Sequence, residues 1–337
     1  MATIYEVSQL AGVSLATVSR VMNGNDNVRE KTKQKVLAAM KELDYRPSSV
    51  AQSLASNRTN SVGILVSELH GPFYGDMMSG IETKLRRHKK HTIIAAGHSQ
   101  KKSEKEGIEF LVSRNCDALI LHVEAVSDQY LKELAKNTPI VLINRIVPGL
   151  EEQCISLNNY MGGQQAAHSM VENGHQNIGY ISGPLWKQDA KERLAGLQDI
   201  LIQRGCPIAD DHIYEGDYQE QGGFLGAKAL LERYPQLSAL VCANDEMAAG
   251  AMNAIREMGK SIPDDVSVFG FDNMLFAQYL FPKLSTIDYP IREMGKMAAR
   301  LVLKEVYNID SGKISRLFEP RCIERQSVNA LPISEAI

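Results

Sequence analysis

Cysteine is scarce and scattered in this 337-residue sequence. Cys116, Cys154, Cys206, Cys242 and Cys322 are an odd number with no C-x-x-C spacing. That argues against a disulfide framework and a cysteine-ligated metal site, and points to a reducing, cytoplasmic setting. No apolar run approaches the roughly 18 residues needed to span a bilayer. Met1–Glu6 lacks the basic region and apolar stretch of a secretory signal, so no membrane partner is expected. Catalytic signatures are missing too: there is no G-x-S-x-G elbow and no H-E-x-x-H. Gly259-Lys260-Ser261 looks like the end of a phosphate loop, but the required earlier glycine falls on Ala254, and the tripeptide ends a helix rather than opening one. Gln221-Gly222-Gly223-Phe224-Leu225-Gly226 fails the dinucleotide fingerprint at its first position. His88-Lys89-Lys90-His91 has a weakly metal-like spacing, but its cationic surroundings would repel a metal. The expectation is a protein that is not an enzyme, with no cofactor and no metal.

What the chain has is ample material to fold. Apolar residues make up 44% and charged residues 23%, the proportions of a soluble globular protein. Its length suits two domains, or one large α/β body with an appendage. The net charge of −3 conceals an asymmetry, because the first sixty residues carry eight Lys and Arg against five Asp and Glu. A basic head on an acidic body suggests that the head alone meets a polyanion.

Within the head, Thr3-Ile4-Tyr5-Glu6 reads as a capping box that opens a short helix with Ile4, Val7 and Leu10 on one face. Ala11-Gly12-Val13-Ser14 stops that helix and starts another, with Ser14 as N-cap of 15–22. A third helix is predicted at about 30–43, with Val36, Leu37, Met40 and Leu43 at helical spacing. Three short helices with a glycine turn between the first two make a helix-turn-helix unit, whose second helix enters the major groove. Val18 and Val21 point inward, leaving Leu15, Ala16, Thr17, Ser19 and Arg20 for the groove. Arg20 is the residue able to grip guanine O6 and N7 bidentately.

Ala11-Gly12-Val13-Ser14, Thr17-Val18-Ser19-Arg20-Val21, Asn23, Tyr45-Arg46-Pro47 and Val50-Ala51-Gln52-Ser53-Leu54-Ala55 resemble the lac repressor/galactose repressor family of bacterial transcription regulators. The resemblance extends along almost the whole chain. It looks closest to the galactose-type members through Leu142-Ile143-Asn144-Arg145-Ile146-Val147-Pro148-Gly149. It implies DNA contacts from Tyr5, Ser14, Leu15, Ala16, Thr17, Ser19, Arg20, Asn23, Arg29, Ser49, Ala51 and Leu54. Arg29 departs from the family, which has a small capping residue there; it gives up the cap and could gain a phosphate contact. Ser49–Ala55 is too short to be helical alone. The resemblance implies that this segment folds on operator DNA and drives Leu54 into the minor groove as a wedge.

From Ser61 onward short apolar strands alternate with amphipathic helices. Strands read at Val62–Val66, Thr92–Ala96, Ala118–Leu121, Ile140–Ile143, Ile178–Ile181, Ala239–Cys242 and Val266–Phe269, and helices at 101–114, 188–204, 222–233 and 290–305. The pattern argues parallel sheets, and so much of it argues two lobes. The expected fold class is an all-α helix-turn-helix head on an α/β body of two doubly wound parallel-sheet lobes, like a periplasmic binding protein. The divisions read 1–46 for the head, 47–59 for a hinge segment and 60–337 for the effector-binding and dimerisation domain. The family resemblance implies three crossings between lobes, giving a first lobe of about 60–158 and 288–319 and a second of about 159–287 and 320–337.

Polar residues follow several strands, where open α/β sheets bind ligands. Asn/Asp/Arg groups with aromatics suit a sugar, the forks bridging hydroxyls and the rings covering the apolar face. Carried over position by position, the resemblance assigns effector binding to Phe73, Asn144, Arg193, Tyr218, Asn244 and Asp272. Asp245 reads better as a cap for the following helix. The galactose-type repressors have an acid or amide just before the Pro-Phe pair, where this chain has Gly71-Pro72-Phe73. Losing that contact is worth about 1–3 kcal/mol, which puts free galactose in doubt. Only nine residues follow Val328, too few for a tetramerising coil, so a dimer is expected. The expectation is a cytoplasmic homodimeric repressor of a carbohydrate-utilisation operon, bound to a palindromic double-stranded operator and released by a small sugar. The competing readings are a sugar-metabolising enzyme and a transport-type sugar-binding protein, each with an accessory DNA-binding head.

Overall fold

The computed structural model describes residues 2–22, 28–45 and 58–331. Asn23, Ser49, Ala51 and Leu54 lie outside the described residues. The chain divides into two compact units, Met1–Ser61 and Val62–Ile337.

The first unit is built on α1 (Ile4–Ala11), α2 (Leu15–Met22) and α3 (Glu30–Glu42). The capping box is present: Thr3 Oγ1 accepts from Glu6 N at 3.4 Å, and Thr3 N donates to Glu6 Oε2 at 2.6 Å. Gly12 closes α1 in the left-handed region, at φ 65°, which a side chain would disfavour. The core is small: Val7, Ala11, Val18, Val21, Val36 and Ala39 are buried, with Ile4 and Met40 packed against them. Two expected core positions are corrected. Leu10 and Leu37 are 47% and 44% exposed, because Ala11 and Ala39 take the positions where the three helices meet. Such short helices turn only a narrow stripe inward, and the smaller side chains let them approach.

The second unit holds two six-stranded sheets. In the first, β1 (Ser61–Val66), β2 (His91–Ala96), β3 (Ala118–Leu121), β4 (Ile140–Ile143), β5 (Cys154–Leu157) and β11 (Leu317–Phe318) lie in the order β2-β1-β3-β4-β5-β11. The second repeats the plan with β6 (Ile178–Ser182), β7 (Ile213–Glu215), β8 (Ala239–Cys242), β9 (Ser267–Asp272), β10 (Ser285–Asp288) and β12 (Arg321–Ile323), in the order β7-β6-β8-β9-β10-β12. Parallel pairing is set by registers such as Val62↔Ala118 and Ile178↔Ala239, and β12 runs antiparallel to β10. The central strands β3, β4 and β8 are buried throughout, which is why each reads as an unbroken apolar run.

The helices that cover the sheets are α4 (Pro72–Arg86), α5 (Lys101–Ser113), α6 (Asp128–Ala135), α7 (Asn159–Glu172), α8 (Gln188–Gln203), α9 (Glu220–Arg233), α10 (Asp245–Glu257) and α11 (Ile291–Tyr307). They pack in close pairs, α4 with α11, α7 with α8 and α9 with α10. The α7–α8 pair explains two glycines: a Cβ at Gly163 or Gly196 would strike the carbonyl of Arg193 or Tyr160 across the pair. The chain passes from the first sheet to the second after β5, returns after β10 to place α11 on α4, and passes back between β11 and β12.

Candidate functional site

Two surfaces carry chemistry. On the head, α2 begins at Ser14, whose Oγ accepts from Thr17 N at 3.2 Å, and Val18 and Val21 anchor it to the core. That leaves Ala16 and Arg20 exposed and Leu15, Thr17 and Ser19 partly so. Tyr5 is 65% exposed on α1. Arg29 precedes α3, is exposed and makes no side-chain cap bond. An exposed helix bearing small polar side chains and one guanidinium is sized to read a major groove.

The second surface lies between the lobes. A cavity of about 390 Å³, within the ~300–1,000 Å³ range of small-molecule sites, is lined from both sheets. Five of the six residues picked from the sequence line it: Phe73, Arg193, Tyr218, Asn244 and Asp272. Phe73 opens α4 and stands edge-on to Tyr74 and Tyr289, with ring centroids 5.3 and 5.1 Å away. Arg193 is buried on α8. Its Nε donates to Asn159 Oδ1 at 3.0 Å, Nη1 donates to the Ala243 carbonyl, and Cζ sits 3.8 Å over the Phe271 ring. Asp272, at the end of β9, keeps an oxygen 3.8 Å from Arg193 Nη1. Burial pushes the Asp272 carboxyl well above the usual carboxylate range, against the pull of Arg193. Burial also lowers the pKa of His122 beside Phe73, favouring a neutral imidazole that can both donate and accept.

Asn144 lies apart from the other five. It lines a neighbouring cavity of about 470 Å³ and is engaged across the lobes, donating to Asp189 Oδ2 at 3.4 Å and accepting from Asn159 Nδ2 at 3.2 Å. Between the two cavities stands a bar. Lys187 at the start of α8 reaches Glu124 after β3 at 2.7 Å and Ser99 Oγ at 3.2 Å, and both ends of the bridge are largely buried.

The backbone around the cleft is unusual. Asn144, Tyr218 and Asp272 hold φ of 59°, 69° and 112°, the region L side chains rarely enter. Strain of this kind gathers where a site must aim side chains. The buried hydroxyl of Tyr218, which lines the cavity, has no hydrogen-bond partner among the described residues. A polar atom left so inside a cavity is a natural contact for an incoming hydroxylated ligand.

The capping assignment after β8 is corrected. Asn244 caps α10, its Oδ1 accepting from Met247 N at 2.9 Å while Nδ2 donates to the Tyr218 carbonyl at 2.8 Å. Asp245 is fully buried and accepts from Met274 N at 2.7 Å and Thr286 Oγ1 at 2.6 Å, tying the loop after β9 to β10. Residues that the sequence reading passed over include Glu124, Lys187, Asp189 and Glu246, all lining the cleft. Glu124 and Glu246 follow β3 and β8 closely, so the same rule extended by a few residues would have found them, whereas Lys187 and Asp189 sit at the start of α8.

A helix-turn-helix unit joined to a two-lobed α/β body with a polar interlobe cleft defines a ligand-responsive DNA-binding regulator. Residues 3–48 match the profile of bacterial regulatory proteins of the lacI family, and residues 167–328 match that of a periplasmic binding protein-like domain. The chain is 37% identical over 330 residues to the HTH-type transcriptional regulator GalR of Escherichia coli (strain K12), covering 98% of this chain and 96% of that one. It is 34% identical over 331 residues to the ribose operon repressor of Haemophilus influenzae, covering 98% and 100%. The crystal structure of the Lac repressor dimer bound to operator and the anti-inducer ONPF superposes with a TM-score of 0.85 at 29% identity, covering 98% and 99%. The chain belongs to the lacI family of bacterial regulatory proteins. It is a DNA-binding transcriptional regulator and not an enzyme. No helix among the described residues is long and apolar enough to cross a membrane.

Proposed function

We propose that the protein is a cytoplasmic, homodimeric repressor of a carbohydrate-utilisation operon, released from a palindromic operator by a small sugar or sugar derivative. The observation that carries this reading is the cleft: Phe73, Arg193, Tyr218, Asn244 and Asp272 converge from two lobes on one cavity that also holds an unpartnered buried phenol hydroxyl. A relative named the ribose operon repressor supports it.

In this reading Phe73 covers the sugar ring's apolar face, while Arg193 and Asp272 bridge neighbouring hydroxyls. Asn244 offers its remaining oxygen lone pair, and Asn144 acts at the far end of the cleft. A ligand touching both lobes holds them in one relative orientation, and it can do so only by its differential affinity for the two orientations. The helix-turn-helix head is taken as 1–46 and the hinge as 47–59, with the first lobe as about 60–158 and 288–319 and the second as about 159–287 and 320–337. Tyr5, Ser14, Leu15, Ala16, Thr17, Ser19, Arg20, Asn23 and Arg29 face the operator's major groove and phosphates, and Ser49, Ala51 and Leu54 its minor groove. Lobe closure alters the spacing of the two hinges in a dimer, and half-sites tolerate little change in spacing.

The test is a mobility shift of the full chain on candidate palindromic operators, with and without a panel of sugars. Sugar-dependent loss of the shifted band is the expected result. A shifted band that no sugar in the panel alters would refute release by a sugar, and a band strengthened by sugar would make the ligand a corepressor.

A further inference from the structure

Glu246 is the carboxylate in the cleft with no assigned task. It lies in the first turn of α10, is half-buried and lines the cavity. Among the described residues no hydrogen bond or ion pair engages it. Its place is informative, because a Cβ built on Gly71 would lie 3.2 Å from Glu246 Oε1. Gly71 belongs to the first lobe and Glu246 to the second, so the carboxylate reaches across the cleft into space that any side chain at 71 would contest. Gly71 also holds φ 83°, which keeps larger residues out of that position. The acid that the sequence reading found missing at 71 is thus matched by one arriving from the opposite wall.

The charge around the cavity points the same way. Glu68, Glu124, Asp189, Asp217, Glu246 and Asp272 line it, against two permanent cations, Lys187 and Arg193. Lys187 is taken by Glu124 at 2.7 Å, and Arg193 lies between Asp272 at 3.8 Å and Asp189 at 4.0 Å. The N-termini of α8 and α10 carry acids of their own, Asp189 on the first and Asp245 with Glu246 on the second, whereas α4 opens on the cleft with none in its first turn and faces Glu246 instead. His70 and His98 stand near Glu68, at 3.8 and 3.2 Å. Burial raises the Glu246 carboxyl above its usual range, an effect that the nearby His70 opposes without cancelling.

We propose that Glu246 is a specificity-determining ligand contact that supplies from the second lobe the carboxylate position 71 lacks, and that it restricts the cleft to uncharged or amine-bearing sugars while excluding phosphorylated ones. This rests on the carbohydrate reading above. A carboxylate accepts from two vicinal hydroxyls or an ammonium group, and a phosphate brought beside it meets like charge with no free cation.

The experiment titrates the full chain by calorimetry with matched trios, galactose with galactosamine and galactose 6-phosphate, and the corresponding glucose series. In the wild type the phosphate ester is expected to bind at least about ten-fold more weakly than its parent sugar. In Glu246→Gln the ratio between parent and phosphate ester narrows, by about five-fold or more, since the charge is removed and the shape kept. A merely structural role would move both affinities together. An unchanged ratio in Glu246→Gln overturns the assignment of Glu246. A wild-type protein that prefers the phosphate ester overturns the proposal without any variant and leaves the carbohydrate reading standing. No heat with any member of either trio counts against both.

Discussion

Lys187 and Glu124 face each other from opposite lobes, so replacing Lys187 with Met reads directly on closure. Methionine keeps the apolar stem that lies near Trp186 and Tyr218, each about 5.5 Å from the Lys187 ammonium, and deletes the charge. The ions stand 2.7 Å apart with side chains 11% and 15% exposed. At an effective dielectric near 20 their attraction is about 6 kcal/mol, much of it offset by the desolvation of both groups. Breaking one side of a buried pair costs about 3–5 kcal/mol when the other charge stays buried. Here Glu124 keeps the Ser99 hydroxyl at 2.8 Å and regains water when the lobes part, so the loss falls nearer 2 kcal/mol, about thirty-fold in the closed-to-open ratio. Small-angle X-ray scattering of ligand-free Lys187→Met should show a larger radius of gyration than the wild type. A double-mutant cycle with Glu124→Gln should return a coupling of comparable size. Identical scattering curves, together with strictly additive effects in the cycle, would refute the reasoning and reduce the bridge to a surface pair.

Three further outcomes are expected. Arg20→Ala should cost about 1–3 kcal/mol of operator discrimination, confined to one base pair per half-site, while Lys33→Ala weakens all sequences equally or not at all; competition binding to operator variants decides it. Asp272→Asn should raise by ten-fold or more, about 1.4 kcal/mol, the sugar concentration needed to release operator DNA, and an unshifted release curve would make the residue structural. Burial pushes the Asp245 carboxyl from 3.8 up to about 7, so the folded state holds its proton more tightly than the unfolded chain does. Stability is then highest at low pH as far as this group is concerned, and falls by about 4 kcal/mol as pH rises through the window between those values. Asp245→Asn should flatten that fall in urea denaturation series taken from pH 4 to pH 8, and an unchanged slope would assign the dependence elsewhere.

Strands buried on both faces were legible from the chain because they leave an unbroken apolar signature, as in Ala118–Leu121, Ile140–Ile143 and Ala239–Cys242. Ser285–Asp288 escaped the same rule. Ser285 and Thr286 are buried there by hydrogen bonds to Ser327 and Asp245, partners forty or more positions away. Edge strands β7, β11 and β12 have only three, two and three residues, too few to show any period. The cleft was legible as polar residues after strands, but not the division of labour within it. Asn244 and Asp245 can both cap a helix, and the choice falls to Thr286 and Met274, which local sequence cannot place. Likewise Asn144 sits at a strand end as expected, yet Asp189 and Asn159 draw it into the neighbouring cavity.

The left-handed backbone at Asn144, Tyr218 and Asp272 bears on how such a regulator could change its ligand over generations. At these three positions the chain's path already narrows the acceptable side chains. Asparagine, aspartate and glycine enter that region at little cost, and most others pay about 1–3 kcal/mol. A lineage seeking a new inducer by single substitutions there would lose fold stability with nearly every trial. Phe73, Trp186 and Glu246 line the cavity of Tyr218 and Asp272 from helices or ordinary loop backbone, where many residues are admissible. New specificities should therefore arise at those sites, with the strained trio retained as the inherited frame around which the variable contacts are exchanged.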